Sequence, residues 1–471
     1  MKTETLTELT DRLIEEYKDK VVADTVRLIN IKSVKSEPLT GAPFGDGARK
    51  VLCEVMRMGK EDGFYCRDYG VGVISVSLYE GEPDVGIWLH GDVVPEGDGW
   101  NFEPFNATVH NGCVIGRGSA DNKGQLAAIY NLFRIFRDAD IKLSVNPAIF
   151  VGSNEETGMK DIIGISGNDD AKGFINVFTP PALSLVPDED FPVCIGGKGG
   201  MNFKLGSREK LCGMSFSAGA QETPGTAFAY FKKDTQIPDT IPECTIKHGD
   251  ITEISAETPP VHTSCPQKSG NMITKLTGAL LESSIDICDS DRKILEFLNK
   301  ISLDITGTVL GIDTEHEVLG KLTVTPVRVE CENGYVTVSF NSRYPLGITF
   351  EEATERIRIN AEKQGFELLE SIKGVTPYLL DDNTDMVKYL CDTANSVTGE
   401  KGKPFTMSGG TYANRLPNAY VYGAGLNVPP SDFESGFGHC HGRDEAANID
   451  RMKRLMRVYA KTLMGLDKNR I

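Results

Sequence analysis

Short stretches along the chain hold side chains that could do chemistry together. In LHGDVVPEGDGW, His90 closes an apolar run and Asp92 follows two residues later. Along an extended chain, residues i and i+2 face the same side, so Asp92 could accept from one imidazole nitrogen and leave the other free for a metal. A strand-end histidine capped by its neighbour is the plainer reading. In GRGSADNKGQLAA, Asp121 and Asn122 stand at the start of a helical pattern, where an acidic residue is either an N-cap or something more. VGSNEETG delivers Glu155 and Glu156 side by side after an apolar run. Adjacent carboxylates repel unless cations or separate tasks hold them, and acid–base duty plus metal ligation supplies both; a solvated acidic turn is the alternative. LVPDEDFP adds Asp188, and GHCHGRDEAANID adds His439 and His441. Each stretch is weak alone. Together they make an inventory for two zinc ions bridged by one carboxylate, with a spare carboxylate to act as base toward water.

Such residues need a scaffold that brings them together. Leu6, Leu9, Leu13, Tyr17 and Val21, continued by Val22, Val26 and Ile29, recur at intervals of three and four. They predict one helix over about residues 5–30, and a second is expected near residues 46–61. GVISVSLYE and VGIWLHGDVV read as strands, DNKGQLAAIYNLFRIFRD as a helix, and LSVNPAIFVGSNEE as a buried strand running into two carboxylates. Strand, helix and strand with polar residues at strand ends describe an α/β layer, whose ligand sites lie at the carboxyl ends of the strands. His90, Asp92, Glu155 and Glu156 fall there. From about residue 191 to 382, short strands such as VTVSFNSRYP alternate with helices such as FEEATERIRINAEKQG, the pattern of an α+β insertion. The expected domains are therefore 1–190, an insert over 191–382, and a return to the first domain over 383–471.

With 40% hydrophobic residues in 471, the chain can build at least one substantial core. Sixty-seven acidic against 50 basic side chains leave a net charge of −17, which makes nucleic acid and anionic membranes poor partners. No apolar run approaches the roughly 20 residues of a membrane helix, and the opening MKTETLTELTDRLIEEYKDK lacks a signal-peptide core. A cytoplasmic protein is expected. The 11 cysteines are odd in number and show no C-x-x-C spacing, so reduced thiols are expected rather than a zinc ribbon or disulfide framework.

HGDVVPEGDGW, GRGSADNKG, SNEETG, the Pro-Asp turn and HGRDE, in this order and at these separations, resemble the di-zinc exopeptidases and deacylases that include carboxypeptidase G, aminoacylase and carnosinase. The likeness is greatest to the bacterial PepV-type dipeptidases and runs over essentially the whole chain. The resemblance implies a zinc-exopeptidase-like α/β catalytic domain with an inserted α+β lid domain. It further implies that His90 and Asp188 bind one zinc, Glu156 and His441 the other, and Asp121 bridges them. Glu155 would be the base, Asp92 would orient His90, and the Asp121–Asn122 peptide bond would be cis. His441 is preferred to His439 because His-x-x-Asp-Glu is the family's local pattern.

The implied reaction is hydrolysis of a small peptide with a free C-terminal carboxylate, by hydroxide bridging two zinc ions. Carboxylate-rich sites of this kind also accept manganese or cobalt. TPPVHTSCPQKSGNM offers His262 as oxyanion stabiliser. Arg343, in FNSRYP, carries a planar fork suited to a carboxylate, and Gly409, Gly410 and Thr411 offer backbone amides at an expected helix start. His110, His248 and His316 read as structural. A deacylase of N-acyl amino acids would share every zinc ligand, and a catalytically dead binding module would be expected to have lost one. His262 and Arg343 both lie in a long insertion, so one chain could supply both, and an active monomer is expected.

Overall fold

The computed structural model describes residues 4–164, 172–219, 225–233, 235–257 and 271–468. They form two compact units: one of residues up to Ile195 with Leu380–Phe405 and Thr411 onward, the other of Gly196–Leu379 with Thr406–Gly410.

The first unit opens with helices α1 (Leu6–Glu16) and α2 (Lys18–Ile29). The single helix expected over 5–30 is divided at Tyr17, whose hydroxyl is tied to Asp138 at the end of a later helix. Helix α3 (Asp46–Glu61) buries Ala48, Val51, Leu52, Val55 and Met58, the three- and four-residue spacing that turns one stripe to a core. Its neighbours are strands β1 (Tyr65–Asp68) and β2 (Ile74–Ser77). Next come β3 (Val85–His90), the short pair β4 (Thr108–His110) and β5 (Cys113–Ile115), helix α4 (Gly124–Asp138), and strands β6 (Pro147–Gly152) and β7 (Leu183–Val186). Helix α4 is buried along nearly its whole length. It is anchored to α2 through buried Asp24, which accepts from Asn131 at 2.9 Å and pairs with Arg134.

The main sheet runs β1, β2, β6, β3, β7 and then the returning strand Ala419–Val421. From β6 to that returning strand the pairing is parallel. Strands β3 and β6 are buried at every position, which is why they read as unbroken apolar runs rather than alternating ones. Trp88 stacks on Phe150 with 4.3 Å between ring centroids and donates to Ser184 Oγ at 3.1 Å, stitching β3 to both neighbours. In this register His90 lies opposite Gly152. The chains leaving β3, β6 and β7 therefore emerge at the same edge, carrying Asp92, Glu155 with Glu156, and Asp188.

The second unit is an eight-stranded antiparallel sheet in the order Thr245–Lys247, Ile251–Glu257, Thr226–Lys232, Met214–Gly219, Thr323–Glu332, Tyr335–Tyr344, Gly199–Lys210 and Phe366–Lys373. Burial alternates along Tyr335–Tyr344, the period-two mark of a sheet with one covered face. Helices Met272–Glu282, Asp289–Leu303 and Phe350–Lys363 share that core. Among the described residues the cysteines are free thiols, and no helix is long and apolar enough to cross a membrane.

Candidate metal centre

Three strand ends and two loops converge on one cluster. The Asp121–Asn122 peptide bond is cis, in the tight turn Ser119–Lys123 that leads into α4. Asp121 sits between two imidazoles: Oδ1 lies 2.8 Å from His90 Nε2 and Oδ2 lies 3.1 Å from His441 Nε2. His441 Nε2 is also 3.2 Å from Glu156 Oε2, and His90 Nε2 is 4.0 Å from Asp188 Oδ1. Two groups of candidate ligand atoms result, His90 with Asp121 and Asp188, and Asp121 with Glu156 and His441, the atoms of each lying within 4.8 Å of one another. Asp121 belongs to both.

The electrostatics of this cluster call for cations. Burial alone would drive charge off both histidines, yet their carboxylate neighbours hold His90 and His441 well above the usual imidazole range. Burial likewise opposes charge on Asp121, but His441 and His90 pull it below the ordinary carboxylate range. Burial, then neighbouring carboxylates, push Glu155, Glu156 and Asp188 upward. Glu155 Oε1 and Glu156 Oε1 are buried with no hydrogen-bond partner among the described residues. Unpartnered buried carboxylate oxygens are costly; a divalent cation would satisfy Glu156 while displacing the imidazole protons, and Glu155, in neither group, is left to accept from a water. The donor set of nitrogen and carboxylate oxygen suits zinc, and also manganese or cobalt.

The surrounding groups act differently from expectation in two places. The contact to His90 expected from the Asp92 carboxylate is made by the Asp92 backbone carbonyl, 3.0 Å from Nδ1, while the carboxylate stands 3.7 Å away. β3 ends at His90, so the i, i+2 alternation no longer governs Asp92. Its carboxylate instead accepts the backbone N–H groups of Glu155 and Glu156, each at 3.1 Å, and so fixes the turn that presents both. In the Gly-rich turn, Thr411 spends its N–H on Asn414 Oδ1 at 2.9 Å and its hydroxyl on capping the turn Tyr412–Asn414. That amide is committed locally rather than offered to an anion.

Other expected residues fall elsewhere. His439 belongs to neither ligand group. His262 lies outside the described residues. Arg343, in the second unit, is partly buried in the strand Tyr335–Tyr344, and a side chain at Gly200 would meet its guanidinium at 2.6 Å. Burial lowers its pKa, and no carboxylate pairs with it among the described residues. His316 accepts the N–H groups of Val318 and Leu319 at 3.2 Å each, and His110 pairs with Asp432.

Sequence reasoning missed several supports. Asn122 Nδ2 donates to Asp188 Oδ1 at 2.9 Å and to the Pro187 carbonyl at 3.1 Å, so the residue after Asp121 holds the next carboxylate in place. Asp161 accepts from Ser153 N, Asn154 N and the Tyr412 hydroxyl at 2.8, 3.0 and 2.6 Å, and burial pushes its carboxyl up to about 7. A cleft of about 320 Å³ lies beside Asp121, Asp188, Glu189 and Cys440, within the size range of small-molecule sites.

Comparison with known proteins agrees with this picture. A Staphylococcus epidermidis protein provisionally named a dipeptidase is 28% identical over 436 residues, covering 87% of this chain and 90% of the relative. YtjP of Bacillus subtilis, also provisionally named a dipeptidase, is 26% identical, with 96% and 98% covered. Among solved structures, human carnosine dipeptidase 1 (14% identity, TM-score 0.56, 98% and 99% covered) and the di-peptidase Dug1p from Saccharomyces cerevisiae (14%, 0.58, 98% and 98%) share the fold. Residues 87–465, which contain the whole cluster from His90 to His441, match the profile of peptidase family M20/M25/M40, and this chain is a hydrolase belonging to that metallopeptidase family.

Proposed function

We propose that this chain is a metal-dependent dipeptidase that cleaves short peptides carrying a free C-terminal carboxylate. The observation that carries the proposal is the pair of ligand groups sharing Asp121, with Glu155 beside them and outside both. His90, Asp121 and Asp188 would hold one divalent cation, and Asp121, Glu156 and His441 a second, zinc being the expected metal. When bound, such ions polarise a carbonyl and acidify water. Glu155 takes the proton of the attacking water and hands it to the leaving amine; its burial, with Asp188 and Glu156 nearby, raises its proton affinity. The Asp92 carboxylate keeps the Glu155 backbone in position while this happens. His262 is proposed to stabilise the oxyanion.

Arg343 is proposed to bind the terminal carboxylate of the substrate, supported by a guanidinium that is partly buried without an acidic partner among the described residues. Such a charge is costly unless a ligand completes it. Arg343→Ala should lower kcat/KM for dipeptides by about 10- to 150-fold, the equivalent of a lost charge-assisted hydrogen bond of about 1.5–3 kcal/mol. Arg343→Lys should recover only part, because an ammonium lacks the bidentate fork. Steady-state kinetics on Ala-Leu check this, and unchanged kcat/KM in both variants would remove Arg343 from substrate binding. Gly409 and Gly410 remain proposed contacts for the same carboxylate.

The test of the whole proposal is a substrate panel on the full chain loaded in turn with zinc, manganese and cobalt. Dipeptides with free termini should be hydrolysed faster than N-acetyl amino acids. Preference for the acylated substrates would make the chain a deacylase, and no hydrolysis of either class would refute the proposal. The same sample in light scattering should show a monomer.

A further inference from the structure

We infer that a buried ion pair, Arg117 with Glu445, is a positioning clamp for the second ligand group. The inference rests on the ligand reading above. Both partners are about 1% exposed at their side chains, and Nη1 of Arg117 lies 2.6 Å from Oε2 of Glu445. The local fold explains how residues so far apart in sequence meet. Strand Ala446–Asn448 pairs antiparallel with β5, Ala446 opposite Ile115. Glu445 therefore lies alongside the chain that leaves β5 toward Asp121, and its carbonyl accepts from Gly116 N at 2.9 Å.

From that place the pair reaches two ligand segments at once. Glu445 Oε1 accepts the backbone N–H groups of Ala120 at 2.9 Å and Asp121 at 3.1 Å, and Oε2 accepts Gly118 N at 3.2 Å beside Arg117. Arg117 Nη2 donates to the carbonyl of His441 at 3.0 Å and to that of Glu96 at 3.2 Å. His441 has a φ of 61°, a left-handed backbone that a non-glycine residue holds only where its surroundings fix it. One oxygen of the clamp thus orients Asp121 and one nitrogen of it orients His441. These are two of the three ligands in the group with Glu156, but only Asp121 belongs to the group with His90 and Asp188. A buried ion pair adds little net stability over well-packed apolar groups, whereas groups that orient ligands set metal affinity.

Glu445→Gln keeps the side chain's size but turns an NH2 group toward donors that a carboxylate accepts. Arg117→Lys keeps the charge but cannot span Glu445 and the two carbonyls together. The metal-free full-length variants are titrated with cobalt(II) alone, following the ligand-field absorbance, and their melting temperatures are measured. Glu156→Ala, run in parallel, identifies which binding step belongs to the second group. Both clamp variants should weaken that step by about 10- to 100-fold and the other step less. Wild-type affinity at both steps would overturn the clamp, as would equal weakening of both in proportion to a fall in melting temperature. If Glu445→Gln does not fold, Arg117→Lys decides by the same criteria. If Glu156→Ala changes neither step, the ligand reading itself fails and the clamp falls with it.

Discussion

Glu155→Ala should lower kcat for a dipeptide by about 10²- to 10⁴-fold, the usual contribution of a positioned general base, while the variant still binds metal as tightly as the parent. Glu156→Ala should lose activity through a different route, by weakening one metal. The contrast follows from geometry. Glu156 Oε2 lies 3.2 Å from His441 Nε2 and joins a ligand group with Asp121, while Glu155 joins neither. Both backbones are held by the Asp92 carboxylate through their own amides. Truncating either side chain therefore leaves the turn intact, and the two variants differ only in what the missing carboxylate did. Metal analysis of the purified proteins, beside kcat, separates them. Equal metal loss in the two would overturn the division of labour.

The second large effect concerns the two histidines near the C-terminus. His441→Ala should weaken the metal step shared with Glu156 by more than the roughly 10- to 100-fold that loss of an outer partner costs, and activity should fall with it. His439→Ala should retain most of both. His441 stands 3.1 Å from Asp121 and 3.2 Å from Glu156, whereas His439 is in neither ligand group. Cobalt(II) titration with paired rate measurements checks this, and the reverse pattern would move the ligand by two residues.

His90, Glu155 and Glu156 were legible at strand ends because the physics that marks them is local; His90, Asp121, Glu156, Asp188 and His441 as a ligand set came from the family resemblance, and the structure brings those five together. Apolar runs ending in polar residues identify buried parallel strands, and such strands deliver their ends to one edge of the sheet. The means by which they are held was much less legible. Arg117 and Glu445 are 328 residues apart and meet only because a short ladder joins β5 to Ala446–Asn448; nothing periodic in either stretch announces it. Asn122 on Asp188 and Asp161 on the Ser153–Asn154 amides are likewise products of tertiary closure. The role expected of the Asp92 carboxylate assumed that β3 continued past His90, and the strand stops there. Thr411 had a readable signal, since a threonine followed three residues later by an amide side chain is a capping pattern, and the structure closes that cap. The strand order of the eight-stranded sheet in the inserted unit was not legible from its Gly- and Pro-punctuated strands. Antiparallel partners are chosen by long-range packing rather than by local pattern.

The central claim is that two divalent cations share Asp121, and the most direct measurement is the metal content per chain. Full-length protein is stripped, reloaded with zinc, dialysed and analysed by mass spectrometry for zinc against protein, alongside an Asp121→Ala variant. The account predicts two ions per chain in the parent and loss of both in the variant, because Asp121 is the only residue common to the two ligand groups. A parent that binds a single ion, or a variant that keeps both, would contradict it.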